Sequence, residues 1–381
     1  MKVIRKITSI ITRIFLFFIL FFTLPYYKTV IFNFPAEEKF NGPSWYNSYA
    51  ILPDTIQKVN LHTHAKAWLG LTNGKNSTDS IIAAYTKMNY DLVAISNYQK
   101  IEPQHTDQLN YISAYEHGYN IRKTHFNVFG TDKVKFFDYP YYLNTSQKQQ
   151  VINMLQEESK FISINHPVLT NGFTTKDAQQ LCNYHLMEVW NLFGKSEGHW
   201  DAALSSGHPV FLLANDDSHS LEKGSFRMWN MIYASSANAD SIASALLQGK
   251  SYGVWNKAGI NGSVPKMNFT MDIENDTLHF SSAIKFDSIY VIADNGKIIL
   301  KRTDTNSISG FISSENSYAR IKLFAENYQI LFNPLMRYDG NDLFTQYKKT
   351  PEINWLQSVL FKMAVFIFHF AIIFILIKMR K

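Results

Sequence analysis

Four short stretches of this chain gather the residue types that bind divalent cations. The first is Asn60-Leu61-His62-Thr63-His64. On extended backbone, side chains two apart share a face, so His62 and His64 present two imidazoles to one ion. The second is Tyr115-Glu116-His117-Gly118, followed by His125. The third is Ile164-Asn165-His166-Pro167, and the fourth is Asn215-Asp216-Asp217-Ser218-His219. Any one alone reads equally well as a turn carboxylate, a loop histidine or a cap. Together they point to a centre where imidazole and carboxylate hold metal and make water a nucleophile at neutral pH.

The elements that must position these groups alternate. Lys58–His62 reads as a short strand. Ser77 caps a helix over 78–88, and Asp91–Ser96 reads as a buried strand. A helix over 146–159 has Val151, Ile152 and Leu155 on one face. Phe161–Asn165 is again a strand. A helix near 176–183 precedes a strand at 185–190, and a helix near 198–206 precedes a strand at 209–214. Met228–Ala234 reads as a strand and Ser241–Leu247 as a helix. Repeated βα units imply a parallel sheet, and six or more strands favour a closed or nearly closed barrel with its site at the carboxyl ends of the strands. After about 262, short alternating runs over 266–335 predict a small antiparallel β-sandwich.

With the motifs in this order, the chain resembles the PHP (polymerase and histidinol phosphatase) superfamily. His62 and His64 match its opening His-x-His, and Glu116 loosely matches its Gly-x-Glu turn. His125 matches a later histidine, His166-Pro167 its His-Pro, and Asp217-Ser218-His219 its closing Asp-x-His. The run LLQGKSYGV at 246–254 is similar to the family's last segment, so the likeness spans about 60–255. It implies an α/β fold, a distorted (βα)7 barrel, ahead of the sandwich. It also implies metal-dependent hydrolysis of phosphoesters and a centre in which His62, His64, Glu116 and Asp217 hold one metal. Glu116, as a bridge, would hold a second with His125 and His166. His219 corresponds to a third position in trinuclear relatives.

The departures fall on that third position. Asn60 stands where many relatives have Asp, Thr72-Asn73-Gly74 replaces Ser-Asp-Gly, and Ser96-Asn97-Tyr98 replaces Thr-Asp-His. An amide and a phenol are poor substitutes for carboxylate and imidazole. Two divalent ions (Zn, Mn or Fe) are therefore expected, with Tyr98 and His219 facing the substrate and His219 able to protonate a leaving group. Arg227 and Lys195 are candidate phosphate contacts. The same departures leave open a catalytically degraded metal-binding or ligand-sensing module, and an activated hydroxide could also serve an amide hydrolase.

The remaining features concern location. The single cysteine, Cys182, excludes an intrachain disulfide and a cysteine zinc site. The net charge is +6. Eight cations and no acids lie in the two ends: Lys2, Arg5, Lys6, Arg13, Lys362, Lys378, Arg380 and Lys381. The middle is therefore net acidic, and no nucleic-acid partner is expected. Residues 7–27 predict a transmembrane anchor and 355–377 a second span, with 28–58 as a linker, 59–262 as the barrel and 263–350 as the sandwich. The basic ends place both termini on the cytoplasmic side and the domain in the periplasm or outside the cell. The substrate is then a small-molecule or lipid-linked phosphoester. His369, within the second span, has no visible partner in the sequence.

Overall fold

Short polar residues start the helices that carry the site's surroundings. The Ser77 side chain accepts from the backbone of Ser80 at the head of helix Thr78–Lys87. Capping boxes pair Asn144 with Gln147 and Thr174 with Asp177 at the heads of Thr145–Gln156 and Thr175–Gln180. These helices, with Glu197–Ser205 and Ala239–Leu247, alternate with strands to give a mixed α/β fold. The computed structural model describes residues 2–105, 110–259 and 264–379. The expected junction at 262/263 lies outside the described residues.

The strands do not make one closed (βα)7 barrel. They fall into two main sheets, neither closed on itself among the described residues. The first runs in the order Phe211–Asn215, Leu186–Asn191, Phe161–Ile164, Phe126–Phe129, Ala114–His117. The first three strands are parallel, but Phe126–Phe129 is antiparallel to both its neighbours. The second sheet has eleven strands. Ile56–Asn60 lies parallel to Leu92–Val93 and antiparallel to Met228–Tyr233.

Buried asparagines, together with single bridges, join the two sheets where ladder bonds are missing. Asn215 Oδ1 accepts from Leu61 N at 3.0 Å, and Asn230 Oδ1 accepts from Ala214 N at 2.8 Å. Single parallel bridges, Thr63 with Ser218 and Tyr98 with Glu116, hold the sheets together beside the four motifs. Each amide satisfies backbone that a continuous ladder would otherwise pair.

The strands expected as a separate sandwich instead extend the second sheet. Tyr328–Phe332 pairs along Ser251–Asn256, leaving that strand no free edge, and Tyr318–Phe324, Thr277–Ala293 and Phe269–Glu274 follow outward. A buried polar contact fastens this extension to helix Glu197–Ser205: Arg320 Nη2 lies 2.7 Å from Asp201 Oδ2, and Tyr318 donates to the same carboxylate at 2.8 Å. The lead-in 28–58 is stitched down as well, because Phe32–Asn33 pairs with Glu352–Ile353 and Ser44–Tyr46 with Leu335–Tyr338.

At the two ends, Val3–Lys28 and Trp355–Lys378 are long and apolar enough to cross a membrane. They pack antiparallel. Thr23 Oγ1 sits 2.7 Å from His369 Nε2, and Arg13 reaches the carbonyl of Met379. His369 therefore has a partner, supplied from the other helix, and its ring also packs on Tyr27.

Candidate metal centre

Strand ends bring two groups of ligand atoms together: His62, His64, His166 and Asp217 follow their strands, Glu116 lies within Ala114–His117, and His125 immediately precedes Phe126–Phe129. His62, His64 and Asp217 form one; Glu116, His125 and His166 form the other. All six residues are buried. Two take backbone conformations that suit few residues: φ is 48° at Asp217 and 30° at His166. Such values persist where surrounding structure enforces them, as it does here to turn both side chains inward.

Glu116 lies between the groups. Its Oε1 is 2.9 Å from His125 Nδ1 and 3.1 Å from His166 Nε2, and its Oε2 is 3.2 Å from His64 Nε2. Asp217 Oδ1 lies 3.2 Å from His62 Nε2 and 3.3 Å from His64 Nε2, and the two Nε2 atoms are 3.1 Å apart. His62 donates Nδ1–H to Glu188 at 2.7 Å, so in its neutral form its Nε2 presents a lone pair. Lone pairs and carboxylate oxygens therefore face one another, and only positive charge among them makes the arrangement favourable. Cations bonded at 2.0–2.2 Å separate their ligands by roughly 3–3.5 Å, the spacing present here.

Two further observations fit a metal. Glu116 Oε2 and Asp217 Oδ1, both aimed into the centre, are buried without a hydrogen-bond partner. Such groups are costly in a folded interior unless something compensates them. Burial alone would raise both carboxylates, yet His125 and His62 hold Glu116 well below the usual carboxylate range, and His62, His219 and His64 do the same for Asp217. Burial would lower His62, but Asp217, Glu188 and Glu116 together raise it. Burial carries His125 and His219 downward despite their carboxylate neighbours.

The His64 ring packs against two others, the Tyr98 ring at 4.4 Å and the His219 ring at 4.3 Å, with 6.1 Å between those two. His219 Nε2 is 3.4 Å from Asp217 Oδ1 and partly exposed at the edge of the first group. Tyr98 and His125 line a cleft of about 530 Å³ that leads to the surface. Asn97 Oδ1 accepts from Ala65 N at 2.8 Å, and Asn60 accepts from His62 N at 3.0 Å. Arg227 is not brought to the centre: it is exposed beside Gly259, and its backbone N–H is bound by Asp216. Lys195 stands over the Trp255 ring at 3.8 Å.

Glu188 is the residue the motifs did not flag. Fully buried, it accepts from His62 Nδ1 and Asn215 Nδ2 at Oε1, and from His166 N and Asn191 Nδ2 at Oε2. Its one sequence signal is a carboxylate within the otherwise apolar run Leu186–Trp190. Asn165 adds a hydrogen bond to Glu116 Oε1 at 3.1 Å.

No family model and no curated protein matches the chain. Among solved structures it is similar to a two-domain protein containing predicted PHP-like metal-dependent phosphoesterase from Bacteroides vulgatus ATCC 8482. The TM-score is 0.39 at 11% identity, covering 84% of this chain and 100% of that one.

Proposed function

We propose that the chain is a metal-dependent hydrolase of phosphoesters, tethered to a membrane by its two terminal helices. The observation that carries this is the position of Glu116, one oxygen toward each ligand group, between side chains whose lone pairs otherwise oppose one another. His62, His64 and Asp217 would hold one divalent ion, and His125 and His166 the other, with Glu116 shared. A pair of such ions supplies Lewis acidity to water and to a phosphoryl group, the chemistry suited to in-line displacement at phosphorus. Zn, Mn and Fe all suit the mixed imidazole and carboxylate set.

The chain's own groups divide the remaining work. Glu188 fixes the tautomer of His62. Tyr98 and His219 hold the His64 ring in place and border the space a substrate must enter. His219 offers Nε2 at that edge to protonate a departing alkoxide. The antiparallel terminal helices bring both chain ends to one side, and their basic residues favour the cytoplasm, leaving the domain on the other face.

The test uses the full chain in detergent, purified without chelator, with metal counted by plasma mass spectrometry and hydrolysis followed on p-nitrophenyl phosphate and bis-p-nitrophenyl phosphate. Two ions per chain with turnover, both lost in Glu116→Gln, are expected. Two ions without turnover on any phosphoester would leave a ligand-sensing module, the reading that the amide at Asn97 and the phenol at Tyr98 favour. Failure to take up Zn or Mn at all overturns both.

A further inference from the structure

The cleft that reaches Tyr98 and His125 has an apolar rim. Trp68 and Leu71 rise from the loop after His64, and Tyr119 and Ile121 from the loop before His125. Leu71 is 89% exposed and Ile121 69%. Leu69, beside them in sequence, is wholly exposed. Scattered surface leucines are ordinary, but a set gathered around an opening that leads to Tyr98 and His125 marks contact with something apolar.

The structure also indicates what that is. The Phe22 ring, in the apolar N-terminal helix, packs 6.2 Å from the Tyr141 ring. Four residues on, Tyr26 donates to the Tyr142 carbonyl at 2.9 Å and accepts from its N–H at 3.0 Å. Segment 138–142 is bound in turn to the cleft wall: Ile121 N donates to Pro140 O at 3.2 Å, and Tyr119 N donates to Asp138 Oδ2 at 3.0 Å. The cleft wall is therefore hydrogen-bonded to a segment seated on the end of a candidate span, where tyrosines favour the bilayer interface. Lys123, on the same wall, supplies a cation near the cleft, suited to an anionic headgroup.

We propose that this rim rests on the bilayer surface and that the centre acts on a phosphoester carried by a hydrocarbon chain in that bilayer. The phosphate reaches the ligand groups past Tyr98, and the chain lies along Trp68, Leu71 and Ile121. The substrate class rests on the hydrolase reading above; the seating of the rim does not.

Two measurements on the full, metal-loaded chain reconstituted in phosphatidylcholine vesicles separate the parts. Trp68 fluorescence, taken as the difference between wild type and Trp68→Phe, is compared in brominated and ordinary lipid. Hydrolysis is compared for hexadecyl and ethyl esters, each as a phosphomonoester and as a p-nitrophenyl phosphodiester. Bromine should quench Trp68. The ratio of kcat/KM for the hexadecyl over the ethyl ester should fall about ten-fold in Leu71→Ser/Ile121→Ser, as loss of apolar contact with a chain requires. An unquenched Trp68 overturns the seating. Quenching with equal kcat/KM for both esters overturns the tailed substrate. Quenching with metal bound and no hydrolysis of any ester overturns the hydrolase reading and the substrate with it, and upholds the seating alone.

Discussion

Glu188 Oε1 lies 2.7 Å from Nδ1 of His62, on the ring nitrogen opposite the one that faces the other ligands. A carboxylate behind a metal-binding imidazole fixes its tautomer and orientation and raises its basicity. All four donors that Glu188 accepts come from the centre's own frame: the His62 ring, the His166 backbone, and the Asn191 and Asn215 amides.

Glu188→Gln should therefore weaken metal binding without emptying the core. The amide must turn an NH2 toward two existing donors whichever way it is set, and it no longer carries charge. Affinity for Zn should fall roughly 10–100-fold by competition with a chromophoric chelator, with the far-ultraviolet circular dichroism unchanged. Equal affinity in the variant means Glu188 has only a packing role.

Gly118 constrains the second group alone. Its φ is +126°, and a Cβ there would stand 2.7 Å from His125 Cδ2 and 2.7 Å from the Thr124 carbonyl. Gly118→Ala must displace the imidazole or the turn that carries it. The expected result is a chain that keeps the ion of His62, His64 and Asp217 and loses the other, seen as a drop from two metals to one. A variant that retains both ions shows that the turn gives way without moving His125.

His219 provides a kinetic prediction. If its Nε2 protonates the departing oxygen, the loss should depend on how much the leaving group needs a proton. His219→Gln should lower kcat about 100-fold or more on an alkyl phosphoester and far less on a p-nitrophenyl ester. An equal loss on both would indicate that His219 acts through its stacking on His64 at 4.3 Å instead.

The ligand types were legible in the sequence because they are unusual. Imidazoles and isolated acids recurring beside apolar runs have few uses in common, and the structure gathers those of His62, His64, Glu116, His125, His166 and Asp217. Glu188 and the asparagines were not legible, since a single polar residue in a strand does not show which face it takes or what meets it there. The sheet arrangement was hidden for a similar reason. The antiparallel insertion of Phe126–Phe129 and the amide bonds from Asn215 and Asn230 are non-local pairings with no periodic signature. Alternation after residue 266 showed strands, but the edge they would join is set by Ser251–Asn256. The partner of His369 is Thr23, 346 positions away.

A histidine outside the centre makes the stability of the fold depend on pH. His208 is buried and donates from Nε2 to the Gln179 carbonyl at 2.7 Å. Burial, then the charge of Lys349, pushes its imidazole down to about 4. The folded chain thus prefers neutral His208, while an unfolded chain protonates it near the ordinary value of about 6.5. Its contribution to stability is complete above about 6.5 and is lost as pH falls from there toward about 4, at most roughly 3 kcal/mol. His208→Gln can keep the hydrogen bond and cannot take up the proton. In chelator, so that metal release does not contribute, the unfolding midpoint of wild type should drop relative to the variant between pH 6.5 and 4.5. Parallel midpoints across that range would mean that His208 is solvated enough to protonate in the folded chain.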